Sequence, residues 1–454
     1  MKSHKELKEK WVKLLSNRRL GEDSYQNSNN TRSNYLIDVD RITYSSHFRK
    51  LQDKTQVHPL AKSDYVRTRL THSLEVSGVG RSLGYNIGQY LVNKYELDCI
   101  NEHDFGYIIQ AACLAHDIGN PPFGHVGEDA IIAFITDNHD SLLKTMSQEE
   151  YNNLLHFDGN SQGFRIITNL AGWKYEGGLK LTYATLGTFC KYPRVYVDKD
   201  ILDGKIGTAK VGVMSTEKDT LKNIANELGL IKLIDNEEVY YRHPLAFILE
   251  AADDICYCVA DIEDAFFVSL SSLKEVETLL GPIARQPSKY SGEAKERVID
   301  LRKEPFYKKL DARKKVEWLR GKAISNLIVE TQRVFIENEE DILNGTFNSE
   351  LLQTTVFRDE ISECKKYARA NIFTSHDKIH AEIIGIEAIT GILEEFYKMI
   401  LKPNHPKSKR INNLLETKID VKLTTYENLI NVIDFISDFT DRNIMDFYKI
   451  LKGL

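Results

Sequence analysis

One stretch limits the chain more than any other: ACLAHDIGNPPFGHVGEDAI, residues 112–131. Small apolar residues run as a helix into His116-Asp117. Gly119-Asn120-Pro121-Pro122 breaks that helix, and helical spacing resumes at His125, with Glu128 and Asp129 behind it. Glycine followed by proline is a strong helix stop: glycine takes up the terminal conformation cheaply, and proline brings no amide donor. Adjacent residues on a regular helix point about 100° apart, following the turn of ~3.6 residues. His116 and Asp117 can therefore share one ligand only at a helix end, where backbone angles loosen. The stretch supplies that end and sets a second imidazole across a rigid turn.

The remaining sequence reads as helices. Prolines number only 10 in 454 residues, and apolar positions such as Leu74, Val76, Val79, Leu83, Ile87 and Leu91 recur at helical spacing. Further helices are predicted at 103–117, 126–137, 150–170, 243–270, 311–343, 376–401 and 425–451. Residues 191–242 differ: short β-like pieces (194–197, 210–214, 238–241) stand among glycines and charges, as in an inserted hairpin. The charge-dense 284–320 region interleaves acids with its lysines and arginines, which fits a solvated helical connector. The expectation is an all-α body with a small irregular, β-containing insertion.

Composition excludes several classes of function. A net charge of −6 with 28% charged and 42% hydrophobic residues argues for a soluble globular protein without bulk affinity for nucleic acid or anionic membranes. The start, MKSHKELKEKWVKLL, has no apolar segment of a secretory signal, and no apolar run approaches the ~20 residues of a membrane span. The cysteines (Cys99, Cys113, Cys190, Cys256, Cys258, Cys364) form neither a CxxC pair nor a disulfide pattern. Cys256 and Cys258 read as packed thiols, and a reducing cytoplasm fits best.

Three separated stretches carry metal-type ligands: Arg69-Leu-Thr-His72, His116-Asp117 and Ala252-Asp253-Asp254. Two neutral imidazoles and two carboxylates suit a divalent ion with positions left open for water and substrate. Taken singly, each piece is weak, because a lone helical His or an HD dipeptide arises often by chance. The third stretch adds weight. Asp253, Tyr257 and Asp261 recur at i, i+4 and i+8 in the apolar segment HPLAFILEAADDICYCVA, so one helix stripe presents carboxylate, phenol and carboxylate. Buried unpaired, those groups would cost several kcal/mol. They need a metal or a polar ligand.

The order His72, His116-Asp117, Asp253 resembles the H…HD…D signature of HD-domain phosphohydrolases. Within them, HDIGNPPFGHVGE (116–128) and EAADDICYCVADIEDA (250–265) look like the dGTPase branch of the deoxynucleoside triphosphate triphosphohydrolases. Similar stretches lie at 32–57, 66–84, 156–170, 191–194, 241–265 and 438–453, covering roughly the first 60% of the chain and its C-terminus. The resemblance implies an HD-domain helical fold. It divides into a core over 1–280, with the insertion at about 191–242, and a helical region over 281–454 that packs on the core and completes the site. It further implies a divalent metal, Mn or Mg, held by His72, His116, Asp117 and Asp253. His125 is then the catalytic imidazole, oriented by Glu128. Gln56, Arg69, Lys191, Tyr192, Tyr257 and Asp261 surround the substrate, a dNTP with dGTP preferred, which is hydrolysed to deoxynucleoside and inorganic triphosphate. Arg67, Arg194 and Lys210 are further triphosphate neighbours on charge grounds. The family likeness also implies a homo-oligomer, with single-stranded DNA or a nucleotide as an effector. Departures exist: Asp158 and Ser161 replace Glu and Ala, and the tail reads DFTD where GMTD is common, so base recognition by the tail is open. Other HD nucleotide phosphohydrolases, or a nucleotide- or single-stranded-DNA-binding sensor, are the alternatives.

Overall fold

The computed structural model describes residues 3–22, 32–57, 66–172, 177–198, 202, 204–285, 304–374, 376–414 and 419–453. Its organising contact is between two helices, α4 (Arg69–Tyr95) and α5 (Glu102–Ala115). Thr68 caps α4 by accepting the Thr71 amide, and Asn101 caps α5 by accepting the amides of His103 and Asp104. Their axes approach closely because Gly80, Gly84 and Gly88 line the contact. A Cβ at Gly84 would stand 2.8 Å from the Phe105 carbonyl oxygen and 3.0 Å from Gly106 Cα.

Before this pair come α1 (His4–Leu14), α2 (Asn34–Thr43) and α3 (Ser46–Lys50). After it follow α6 (His125–Asp137), α7 (His139–Leu142), α8 (Gln148–Leu155), α9 (Gly159–Arg165), α10 (Tyr183–Phe189) and α11 (Lys218–Leu228). The long α12 (Pro244–Phe267) starts on proline, where the missing amide donor is harmless, and buries most of its length. Leu245, Phe247, Ile248 and Leu249 are all fully enclosed, each contributing about 1.5–3 kcal/mol by leaving water. Then come α13 (Leu273–Ala284), α14 (Pro305–Lys309), α15 (Ala312–Glu337), α16 (Glu339–Asn344) and α17 (Arg358–Tyr367). Last are α18 (His376–Leu401), α19 (Pro406–Leu414), α20 (Thr425–Ser437) and α21 (Asp441–Lys452).

The protein is all-α, as its periodicity predicts. Among the described residues the apolar core falls into two clusters. The larger gathers α1, α4, α5, α10 to α13, α15 and α17; the smaller gathers α6, α8 and α18 to α21. The break after α5 straddles them, with Ile118 packed in the first and Phe123 in the second. That position, between two cores, holds the loop from both sides.

Several boundaries differ from the sequence reading. The segment 150–170 is not one helix: α8 ends at Leu155, Asp158 restarts the chain by capping α9, and 166–170 widens into a π turn. The predicted 311–343 and 425–451 helices each divide, at Asn338 and at Asp438–Thr440. Asp158 and Thr440 cap the new helices with their side chains and Asn338 donates to the Val334 carbonyl at 2.8 Å, so local side-chain hydrogen bonds beat continuous apolar spacing.

The insertion over 191–242 holds no strand among its described residues. Two isolated bridges, Arg194 with Val239 and Lys232 with Tyr240, are all that forms. The unforeseen α11 lies within it and buries Leu221, Ile224, Ala225 and Leu228, an i, i+3, i+4, i+7 face. Of the charge-dense region, 286–303 lie outside the described residues. From Glu304 on it is helical, and Lys308, Lys309, Arg313 and Lys314 are exposed.

Candidate active site

His72 sits in the first turn of α4 and is buried. His116 follows the last residue of α5, and its Nδ1 lies 2.7 Å from the Cys113 carbonyl oxygen. A carbonyl only accepts, so Nδ1 carries the proton and Nε2 presents its lone pair. That nitrogen is 3.6 Å from Asp117 Oδ2 and 3.5 Å from Asp253 Oδ1, while His72 Nε2 is 3.2 Å from the same Asp253 oxygen. Ligand atoms of His72, His116 and Asp117 all fall within 4.8 Å of one another.

The two carboxylates are arranged alike. Asp117 Oδ1 is held by Arg69 at 2.9 Å and by the Asn120 side-chain amide, leaving Oδ2 turned to the imidazoles. Asp253 Oδ2 accepts from Lys191 Nζ at 2.7 Å, leaving Oδ1 turned to the same place. Each acid thus has one oxygen fixed by a cation and one free to coordinate, the orienting support that metal sites use. Among the described residues, His116 Nε2 and Asp117 Oδ2 are buried without a hydrogen-bond partner. Each such group costs about 1–3 kcal/mol if left unpaired. A divalent cation among them would satisfy both, so the residues present fit a metal.

Charge follows the geometry. Burial pushes the Asp117 carboxyl up, but Arg69, His116 and His72 outweigh it and bring its pKa to about 2. Burial likewise opposes ionisation of Asp253, and Lys191 and His116 hold it well below the usual range. For His116 the order reverses: burial lowers it, and Asp117 with Asp253 raises it.

His125 opens α6 with its ring exposed, and its Nδ1 lies 2.7 Å from Glu128 Oε2. The other oxygen of Glu128 accepts the Gly159 amide at 2.8 Å, so the acid is clamped from both sides. The hydrogen bond to Glu128 raises the His125 pKa above its ordinary value. Burial would raise Glu128, but its bond to His125 and the positive charge there hold it down. Arg69 links this dyad to the buried cluster: beyond Asp117, its NH2 occupies the space a Cβ at Gly124 would fill, 2.2 Å away.

Sequence-selected substrate residues divide. Lys191 and Arg69 join the cluster directly. Tyr192 carries the Arg242 guanidinium over its ring at 5.2 Å, and Tyr257 lies against Phe373 at 6.1 Å between ring centres. Gln56 Oε1 and Asp261 Oδ2 are buried without partners among the described residues. Burial and Asp264 drive the Asp261 carboxyl well above its ordinary pKa.

Two of the charge-based choices are engaged by protein groups. Arg67 is bound to Glu75, Glu263 and Asp264, and Arg194 donates to the carbonyls of Lys210 and Val195. In this structure both are occupied in neutralising or tying protein groups. Lys210 pairs with Asp158 at 2.6 Å while remaining partly exposed. Sequence reasoning missed Asn120 and Gly159, although the Gly159–Gly163 spacing was a signal: a Cβ at Gly119 would stand 2.0 Å from the Gly163 nitrogen. The loop after α5 can lie flat on α9 only with glycines there.

A helical scaffold that ends one helix on a His-Asp pair, and brings a histidine and an aspartate from two other helices to it, defines an HD domain; the HD-domain family matches residues 69–170. The chain is 37% identical to a deoxyguanosinetriphosphate triphosphohydrolase-like protein of Synechocystis, over 98% of this chain and 99% of that one. It is 38% identical to a protein of the same description in Pseudomonas aeruginosa, over 98% of each chain. With the deoxyguanosinetriphosphate triphosphohydrolase of Yersinia enterocolitica it shares 30% identity over 86% of this chain and 83% of that one. The chain belongs to the deoxyguanosinetriphosphate triphosphohydrolase family of HD-domain proteins.

Proposed function

We propose that this protein hydrolyses deoxynucleoside triphosphates, dGTP in preference, to deoxynucleoside and inorganic triphosphate in a reaction that needs Mn or Mg. The observation that carries the reading is the convergence of His72, His116, Asp117 and Asp253 next to the Arg69-linked His125–Glu128 dyad. These four residues would hold the ion, which when bound polarises a phosphate oxygen and makes a bound water more acidic.

The chain's own groups do the rest. His125, whose Nδ1–H is held by Glu128 and whose imidazolium that carboxylate favours, stands ready to give its Nε2 proton to the departing 5′ oxygen. Lys191 and Arg69 offer cationic donors to the triphosphate beside the two acids they fix. Tyr192, Tyr257, Gln56 and Asp261 line the sugar side. The partnerless Gln56 Oε1 and Asp261 Oδ2 can pair with a 3′-hydroxyl, and a site built on those two groups would discriminate by the sugar it leaves unpaired.

The same reading takes the enzyme to be a cytoplasmic homo-oligomer open to a nucleotide or single-stranded-DNA effector. Its six free cysteines fit a reducing compartment, and none of the described helices is long and apolar enough to cross a membrane. The deciding experiment incubates the protein with each dNTP and NTP in Mn or Mg and identifies the products by mass. Deoxyguanosine with stoichiometric tripolyphosphate is the expected result. dGMP with pyrophosphate would refute the reaction, and binding without turnover would make the protein a sensor.

A further inference from the structure

Asp441 stands far along the chain from the HD motif, yet both of its carboxylate oxygens end in the site's two loops. Oδ2 accepts the Thr55 amide and Oδ1 the Phe123 amide, each at 2.9 Å. Asp441 is the first residue of α21, where an acid ordinarily serves its own helix terminus. Here Thr440 supplies that cap, accepting the Asn443 amide at 3.3 Å, and Asp441 is only 2% exposed. Its two acceptors neighbour the chemistry closely. Thr55 precedes Gln56, and Phe123 stands two residues before His125.

The Phe123 backbone needs such a tether. Its φ is +61°, a left-handed conformation unfavourable for a side chain of that size, and Gly124 follows at φ 60° and ψ −127°. A conformation that costs energy persists only where the surroundings over-determine it. Within the turn the Gly124 amide donates to the Pro121 carbonyl at 3.0 Å, and the hydrogen bond that ties the turn to the C-terminal helices is the one from the Phe123 amide to Asp441. A second tie runs parallel: buried Lys54 donates to the Asn120 carbonyl and to the Ser437 carbonyl, each at 2.7 Å. The C-terminal pair α20–α21 therefore grips both loops that carry the sugar-side and proton-donating residues.

We propose that Asp441 is a positioning residue: through two backbone amides, one carboxylate sets the register of Gln56 and His125 against each other. The catalytic part rests on the roles given to those two residues above; the structural part does not. Asparagine at this position keeps one acceptor and turns an N–H donor toward the other amide, so Asp441→Asn should release at least one loop with little change in shape.

The test takes Asp441→Asn and Asp441→Ala in the full chain, with Asp438→Asn as the control. Asp438 is in the same segment but faces Lys50 and His47 at the surface. Hydrogen exchange is followed in peptides spanning 52–57, 118–126 and the interior of α5. The expected result is faster exchange in the first two peptides with α5 unchanged. kcat should fall about 10- to 100-fold, as small misplacements of reacting groups do. Discrimination between dNTP and NTP should narrow, Mn uptake should match wild type, and Asp438→Asn should behave as wild type.

Unchanged exchange in both loop peptides would overturn the proposal. So would exchange rising equally in α5, which marks a merely structural role, or undiminished kcat and sugar discrimination. A wild-type protein that turns over no dNTP would sink the functional reading instead, and the exchange pattern would still decide on Asp441.

Discussion

His72 Nε2 lies 3.2 Å from Asp253 Oδ1, although 181 residues separate them in the chain. Helices α4 and α12 pack directly on each other, and this contact turns two unremarkable helix positions into half of the proposed cation site.

Removing a ligand should therefore remove the ion without dismantling the fold. Asp117→Ala and His116→Ala are expected to abolish Mn uptake in isothermal titration, while the wild type binds one ion per chain. Saturating Mn should raise wild-type stability by about 2.7 kcal/mol at a hundredfold excess over Kd, and the variants should show no such rise. Uptake undiminished in both variants would place the ion elsewhere.

The dyad has a signature in pH. Because Glu128 raises the His125 pKa, the proton-donating imidazolium persists to higher pH than that of an ordinary histidine, and activity falls as pH climbs through that pKa. Glu128→Gln removes the cause of the shift, so the alkaline limb of kcat/KM should move to lower pH. His125→Ala should lower kcat about 10²- to 10⁴-fold, the range of a lost general acid. His125 is exposed, so thermal stability should hardly change. An alkaline limb that stays in place in Glu128→Gln would remove the imidazole from the proton transfer.

The glycine contact beneath the loop predicts an asymmetry. Gly119→Ala drives a Cβ to 2.0 Å from the Gly163 nitrogen and 2.1 Å from the Gly159 carbonyl oxygen, both backbone atoms that cannot swing aside. Gly163→Ala meets the tip of the Phe189 ring at 3.0 Å, and the Gly119 nitrogen only at an ordinary 3.4 Å. Urea unfolding should show Gly119→Ala losing about 3 kcal/mol or more and Gly163→Ala about 1 kcal/mol, the upper and lower ends of overpacking effects. Equal losses would contradict the packing described.

His243 links stability to pH away from the site. It is fully buried; Nε2 lies 3.0 Å from the Leu14 carbonyl oxygen and Nδ1 accepts the Leu245 amide at 3.1 Å, so the ring is neutral and burial lowers its pKa to about 4. The unfolded chain takes up this proton near pH 6.5. The folded-state value is depressed, so the contribution is complete above pH 6.5 and shrinks as pH falls toward 4. Its slope is about 1.4 kcal/mol per pH unit. Between pH 6.5 and 5 the wild type should lose about 2 kcal/mol through this residue, and His243→Gln should show a correspondingly flatter profile. Parallel profiles would rule the linkage out.

Much of the scaffold was legible because its signals are local. The Gly-Pro-Pro break after His116 and the 3.6-residue spacing of α4 and α12 are properties of contiguous sequence. The broken helices at 156–158, 338 and 438–440 were less so, since apolar spacing continues across them and only the side-chain hydrogen bonds of Asp158, Asn338 and Thr440 to nearby backbone reveal the interruption. Arg67 and Arg194 show why charge alone is a poor guide to a site. A guanidinium reads the same in sequence whether it meets a phosphate, the three acids around Arg67, or two carbonyl oxygens.

The sequence by itself determined which residue types could bind a cation and where helices must stop, because periodicity, capping and proline act over a few residues. Only the tertiary structure decided which oxygen of Asp117 and of Asp253 is left free, which arginine supports the site, and that Asp441 reaches Thr55 and Phe123. Those outcomes depend on distances between helices far apart in the chain, set by close packing of two apolar cores, and no local rule carries them.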